Sequence, residues 1–229
     1  MVVLALIGIC LALAVLFGPS YWIKHVLKVH GVDRPDLPGT GGELARHLLD
    51  EAGLNDVKLE LTDQGDHYDP EDRTVRLLPE HMAGRSVTAV AVAAHEVSHA
   101  VQHARGERAF ATRLALVKNF GWIDNVAMMI LLASPILFAI VRAPIILVLQ
   151  LALGVGLLGI RIIIHLATLP VEFDASFGKA LPVLERGKYL AANDMPAARG
   201  VLRAAAWTYV AAALFTLVDI ARWLRVLRF

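Results

Sequence analysis

The sequence predicts a mainly α-helical protein: a multi-pass bundle of membrane helices joined to a small α+β domain. Three observations predict it. The chain is 57% hydrophobic and only 19% charged over 229 residues, too apolar for an ordinary soluble domain. Its apolar residues gather in long uncharged runs, 1–23, 125–141, 143–160 and 204–218, and a membrane-spanning helix needs roughly 20 such residues. The charged residues concentrate instead in 24–118, where helical and alternating patterns are mixed.

The elements follow in order. Residues 1–23 read as an N-terminal transmembrane helix. They lack the basic flank and small-residue cleavage site of a signal peptide. The single cysteine, Cys10, lies in this run, so no intramolecular disulfide and no thiolate metal site can form. Residues 24–118 read as a polar α+β domain. DRPDLPGTGG (33–42) is a turn-rich connector, and Thr40 or Gly41 starts a helix over ELARHLLDEAG, stopped by Gly53. NDVKLELTDQ alternates Val57, Leu59 and Leu61 with polar residues, as a strand does. DHYDPEDR (66–73) reads as a turn and TVRLLP (74–79) as a second strand, whose edge an extended substrate could join.

Residues 85–105 contain neither Gly nor Pro, lie between Gly84 and Gly106, and have Ser86 as a plausible N-cap. That predicts a helix of nearly six turns, about 30 Å long. Residues 121–169 form a transmembrane hairpin that turns at Arg142-Ala143-Pro144. A polar segment, 170–203, follows, with Pro170 in the first turn of its helix, and 204–221 form a C-terminal transmembrane helix.

The long polar helix carries AAHEVSHAVQHA. His95 and His99, four residues apart, lie on one face and can aim their nitrogens at one ion. Zinc suits such ligands at about 2.0–2.1 Å. Glu96 sits about 100° round the helix, placed to hold a water rather than the metal. A metal lowers the pKa of water toward about 7, and a carboxylate can take its proton as the water attacks a carbonyl. His103 is about 12 Å along the axis from His95, beyond the reach of the same ion, and reads as a surface or supporting residue. The third ligand must come from elsewhere. Among the downstream acids, Glu172 and Asp174 directly follow an apolar helix and so come from a different element.

Other residues carry weaker signals. His67 or Tyr68, in DHYDP, could stabilise an oxyanion, although a turn held by aspartates is the simpler reading. Arg161 and His165 lie in or near the end of an apolar helix and form a stripe with Thr168 and Glu172. Ionisable groups there are functional candidates, and snorkelling to the interface is the alternative for Arg161. The formal net charge of +1 and the lack of a basic stripe interleaved with aromatics predict no nucleic-acid partner.

Several motifs together resemble a known family. TGGELARHLLDEAGL, DHYDPEDRTVRL, GRSVTAVAVAAHEVSHAVQ, ATLPVEFDAS and RAAAWTYVAAAL are similar, in that order, to the YugP-like neutral zinc metallopeptidases, integral membrane proteins of bacteria. The family is similar in layout to the HtpX-like and CAAX-prenyl-protease membrane peptidases, in which a glutamate opening an E-x-x-x-D motif is the third ligand. The resemblance implies one zinc ion held by His95, His99 and Glu172, with Glu96 as general base in a gluzincin-like endopeptidase. Its substrates would be peptides or proteins, membrane proteins among them. Two positions depart from the pattern. Ser176 stands where the relatives have aspartate, so support must differ or come from Asp174, and Ser98 stands where glycine is common.

The resemblance places the chain in the bacterial plasma membrane, within the lipid bilayer. Twelve Lys and Arg lie beside the polar segments: Lys24, Lys28 and Arg34 after the first span, Arg105, Arg108, Arg113 and Lys118 before the second, and Lys179, Arg186, Lys188, Arg199 and Arg203 between the third and fourth. Only four, Arg142, Arg222, Arg225 and Arg228, lie opposite. That bias predicts a cytoplasmic active site, unless RWLRVLRF turns back as an interfacial helix. The alternative from another class is a non-catalytic membrane scaffold or interaction protein that retains a structural zinc.

Overall fold

The structure, a computed structural model, describes residues 2–226. The chain divides into two compact units. The polar unit comprises Phe17–Ala111 and Pro170–Thr208. The apolar unit comprises Thr112–Leu169 with the described residues before Phe17 and after Thr208.

The polar unit begins in helix α1 (Val2–His30) and continues with α2 (Gly41–Glu51). A capping box starts α2: the Thr40 hydroxyl accepts from the Glu43 N–H at 3.2 Å, and the Glu43 carboxylate accepts from the Thr40 N–H at 2.7 Å. Leu44, Ala45, Leu48 and Leu49 form the buried stripe of α2. Three short strands follow: β1 (Lys58–Leu61), β2 (His67–Asp69) and β3 (Thr74–Leu77). β3 lies at the centre, parallel to β1 and antiparallel to β2.

Two expectations are corrected here. The segment 66–73 is not wholly a turn, because β2 lies within it: Tyr68 is buried and pairs with Val75. Only the residues after Asp69 turn, with the Asp69 carboxylate accepting from the Glu71 and Asp72 N–H groups. β3 has neighbours on both sides, so it offers no edge to a substrate strand.

After the four-residue helix α3 (Pro79–Met82) comes α4 (Val87–Ala104). Ser86 is its N-cap, the hydroxyl accepting from the Ala89 N–H at 3.0 Å. Gly106, at φ +61°, ends the helix in the left-handed conformation that glycine adopts without strain. The Gly106 and Glu107 N–H groups then bond back to the His103 and Gln102 carbonyls. Ala89, Ala91, Ala93, Ala94 and Ala100 are almost completely buried. Their small side chains let α2, α3 and the sheet pack closely on α4, which is buried on nearly every face.

The apolar unit contains α6 (Ile123–Val141), preceded by α5 (Arg108–Phe120), and most of α7 (Pro144–Phe173). Arg142, in the left-handed region at φ 54°, turns the chain between α6 and α7. Ala127 and Leu131 pack on Leu151 and Leu158. A Cβ on Gly154 would lie only 2.6 Å from a Leu131 methyl, so the glycine permits the close approach of the two helices. Outward-facing Met129, Leu132, Ile136, Ile140 and Leu149 are well exposed, an exterior suited to lipid. Among the described residues, three helices are long and apolar enough to cross a membrane: Arg108–Val141, Pro144–Gly187 and Met195–Ala221. The first expected span, 1–23, is helical from Val2, but most of its side chains up to residue 16 lie outside the described residues.

α7 differs from the expected break at Pro170. The helix runs through the proline to Phe173 and passes into a π-helix, Asp174–Ala180, then α8 (Leu181–Gly187). The last helix, α9 (Met195–Val226), is unbroken, so the chain from Arg222 to Val226 does not turn back. Val171, Leu181, Leu184, Val201 and Leu202 join the core of the polar unit around α4.

Candidate metal centre

α4 and the end of α7 bring the two histidines and one acid together. His95 and His99 lie one turn apart, their ring centroids 4.7 Å from each other. Glu172 Oε2 is 3.2 Å from His95 Nε2 and 3.4 Å from His99 Nε2. The three ligand atoms all lie within 4.8 Å of one another, and all three residues are buried. Atoms held at about 2.0–2.1 Å around a tetrahedral centre stand roughly 3.3–3.4 Å apart. The two nitrogen-to-oxygen spacings match that, and two imidazoles with one carboxylate form a donor set that suits zinc.

The hydrogen bonds behind the rings fix which nitrogen of each histidine carries the proton. Gln102, buried one turn beyond His99, donates its amide N–H groups to the Val171 carbonyl (3.0 Å) and to Asp174 Oδ2 (2.7 Å). Its oxygen therefore faces His99 and accepts from Nδ1–H at 2.9 Å. Ser176 donates its hydroxyl proton to the Leu202 carbonyl at 3.1 Å, so its oxygen accepts from His95 Nδ1–H at 3.2 Å. Both Nε2 lone pairs are thereby left pointing at the space beside Glu172. This is the tautomer and orientation that metal ligation requires.

The remaining candidates are distributed as follows. Glu96 is buried on α4, at 7% exposure, next to His95. Asp174 is not a member of the cluster: it bonds Gln102 and Lys179, and Lys179 also pairs with Glu107 at 3.0 Å. His103 bonds Tyr68 (hydroxyl to Nδ1, 2.9 Å) and stacks on Phe110, whose ring also lies 6.2 Å from that of His99. Burial, then Arg73, holds His103 below the usual histidine range; burial pushes the Tyr68 phenol up. His67 donates its Nδ1–H to the Gly65 carbonyl at 2.8 Å, within its own turn. His165 lies in the apolar unit, bonded to Arg161 at 3.3 Å.

Two residues with clear roles in this arrangement, Gln102 and Ser176, were not readable as such from sequence. Gln102 carried a usable signal, since residues three apart on a helix face each other, and a buried-helix glutamine three after a histidine has that partner in reach.

Comparison with known proteins shows the family. Residues 5–228 match the family described as "putative neutral zinc metallopeptidase". The chain belongs to that family. Within the neutral zinc metallopeptidase family it is similar to "Putative membrane protease YugP" of Bacillus subtilis (strain 168), with 34% identity over 220 residues, 94% of this chain and 92% of the relative. No solved structure matches the chain.

Proposed function

We propose that the protein is a membrane-embedded zinc endopeptidase, with His95, His99 and Glu172 as the ligands of one zinc ion and Glu96 as general base. The observation that carries this reading is the convergence of two Nε2 atoms and one carboxylate oxygen beside a buried glutamate on the same helical turn. A zinc ion there would supply a Lewis acid that polarises a peptide carbonyl and makes water acidic near neutrality. Glu96 takes one proton from the attacking water and delivers it to the leaving amine nitrogen as the C–N bond breaks. Gln102 and Ser176 hold the two imidazoles in place through the Nδ1–H bonds. Tyr68, kept protonated by burial, is a candidate hydrogen-bond donor to the carbonyl oxygen, with His103 orienting its hydroxyl.

A structural zinc is usually enclosed by four protein ligands, whereas a catalytic one keeps a position open. Among the described residues only three converge, which favours the enzyme over a scaffold with a structural zinc. Substrates are peptides or proteins, membrane proteins among them, given the apolar helices and the relative named a membrane protease. The spans cross the plasma membrane several times, with the site on the cytoplasmic side as the Lys and Arg distribution favours.

Glu96→Gln tests the mechanism in the full-length protein reconstituted in vesicles. Zinc content by elemental analysis should be unchanged and peptide cleavage lost. Cleavage at the wild-type rate would sink the proposed base, and a wild-type protein that binds zinc and cleaves nothing would favour the scaffold.

A further inference from the structure

The apolar unit contains a cavity of about 280 Å³, lined by charged and apolar residues, that the peptidase reading does not use. Arg113, Asp124, Arg161, His165 and Tyr209 line it, together with apolar residues such as Phe120 and Ile164. Arg161 Nε lies 3.2 Å from Asp124 and 3.3 Å from His165 Nε2. Among the described residues, the terminal nitrogens of Arg161 make no hydrogen bond. Arg113 donates to the Tyr209 hydroxyl at 2.9 Å and lies over its ring. Two guanidinium groups thus share the lining with one carboxylate, leaving it net positive.

The depth of the cavity identifies what it would meet. α6 has 19 residues, about 28 Å at 1.5 Å per residue. The rise along α7 from Pro144 to Arg161 is about 26 Å. Both lengths approach the roughly 30 Å hydrocarbon core of a bilayer, so Asp124 and Arg161 sit where the lipid headgroups begin. Trp122, at the start of α6, is exposed, as interfacial anchors are. Arginine forks match phosphate oxygens in pairs, and basic pockets between spans bind anionic headgroups on the cytoplasmic side. The apolar part of the lining accommodates the first carbons below the phosphate.

We propose that this cavity holds the phosphate of an anionic lipid headgroup, with Arg161 and Arg113 as its donors. The proposal rests on reading these helices as membrane spans, and not on zinc or peptide cleavage. Native mass spectrometry of the full-length protein in neutral detergent tests it, with phosphatidylglycerol, phosphatidylcholine and inorganic phosphate as separate additions. Both lipids offer a phosphate to the arginines, but the net positive lining repels the choline cation of phosphatidylcholine, which predicts retention of one phosphatidylglycerol about tenfold over phosphatidylcholine. Arg161→Gln/Asp124→Asn, which removes both partners of the ion pair, should abolish that preference. Asp124→Asn alone, which keeps both arginines, should strengthen it. Equal retention of the two lipids, or an unchanged preference in the double variant, would overturn the proposal. Displacement of the lipid by millimolar inorganic phosphate would also overturn it, assigning the site to free phosphate.

Discussion

Replacing Gln102 by leucine removes the acceptor for His99 Nδ1–H and the donor to the Val171 carbonyl while keeping most of the side-chain volume. Each buried group left without a partner costs about 1–3 kcal/mol, so the metal-free protein should lose roughly 2–6 kcal/mol. The bond to Asp174 adds little, because that carboxylate is partly exposed and also paired with Lys179. Zinc affinity should fall about 10–100-fold, the range for residues that orient a metal-bound histidine, or roughly 1.4–2.7 kcal/mol. Gln102→Glu separates the two effects. It keeps an acceptor for His99, loses the donor to Val171 and places a carboxylate beside Asp174. It should therefore be destabilised but hold zinc at nearly wild-type affinity. Thermal melting of the metal-free protein and zinc competition against a chromophoric chelator measure the two quantities. Zinc affinity in the leucine variant within twofold of wild type, or equal zinc loss in both variants, would refute the positioning argument.

Glu172→Ala should weaken zinc binding by more than the roughly 10–100-fold expected of supporting residues, whereas His103→Ala should barely change it in the same chelator competition. Ser176→Ala should lower zinc affinity about tenfold by releasing His95 Nδ1–H, and an unchanged affinity would show that the serine is only packing. His103 has a folded pKa below its ordinary value of about 6.5. Its contribution to stability is therefore present above that pH and lost as pH falls through the lower folded value. His103→Gln should accordingly flatten the acid limb of the melting profile below about pH 6.5, and an unaltered limb would count against the assignment. Asp63→Cys should resist a membrane-impermeant thiol reagent in intact cells, and labelling would place the site outside.

The elements that depend on local patterning were the legible ones. Thr40 and Ser86 announced α2 and α4 as N-caps because a hydroxyl there satisfies an otherwise unpaired N–H, and Gly53 and Gly106 marked their ends. That His95 and His99 share one face of α4 followed from helix periodicity alone. The rest depended on pairings distant in sequence. β2 was hidden in DHYDP because its aspartates signal a turn as strongly as Tyr68 signals burial, and only β3 supplies the partner that decides. The continuity of α7 through Pro170 opposes the local preference of proline. Their place directly after an apolar helix singled out Glu172 and Asp174 as third-ligand candidates, and family resemblance favoured Glu172. The structure brings Glu172 to the histidines and turns Asp174 toward Gln102. Ser176 showed in sequence only as a departure, since its use depends on Leu202, which lies on α9.

The polar unit is discontinuous in the chain: Phe17–Ala111 is made first, and Pro170–Thr208 only after the apolar hairpin. This fixes an order of biogenesis. α4 leaves the ribosome with both histidines well before Glu172 is synthesised. At about 5–20 residues per second, several seconds separate the two, and the intervening chain includes most of two helices long and apolar enough to cross a membrane. On the proposed ligand set, a nascent chain holds two of its three zinc ligands until the hairpin has been translated and threaded into the bilayer. On the proposed activity, a site completed only once the hairpin has been made is withheld from the ribosome's surroundings until then.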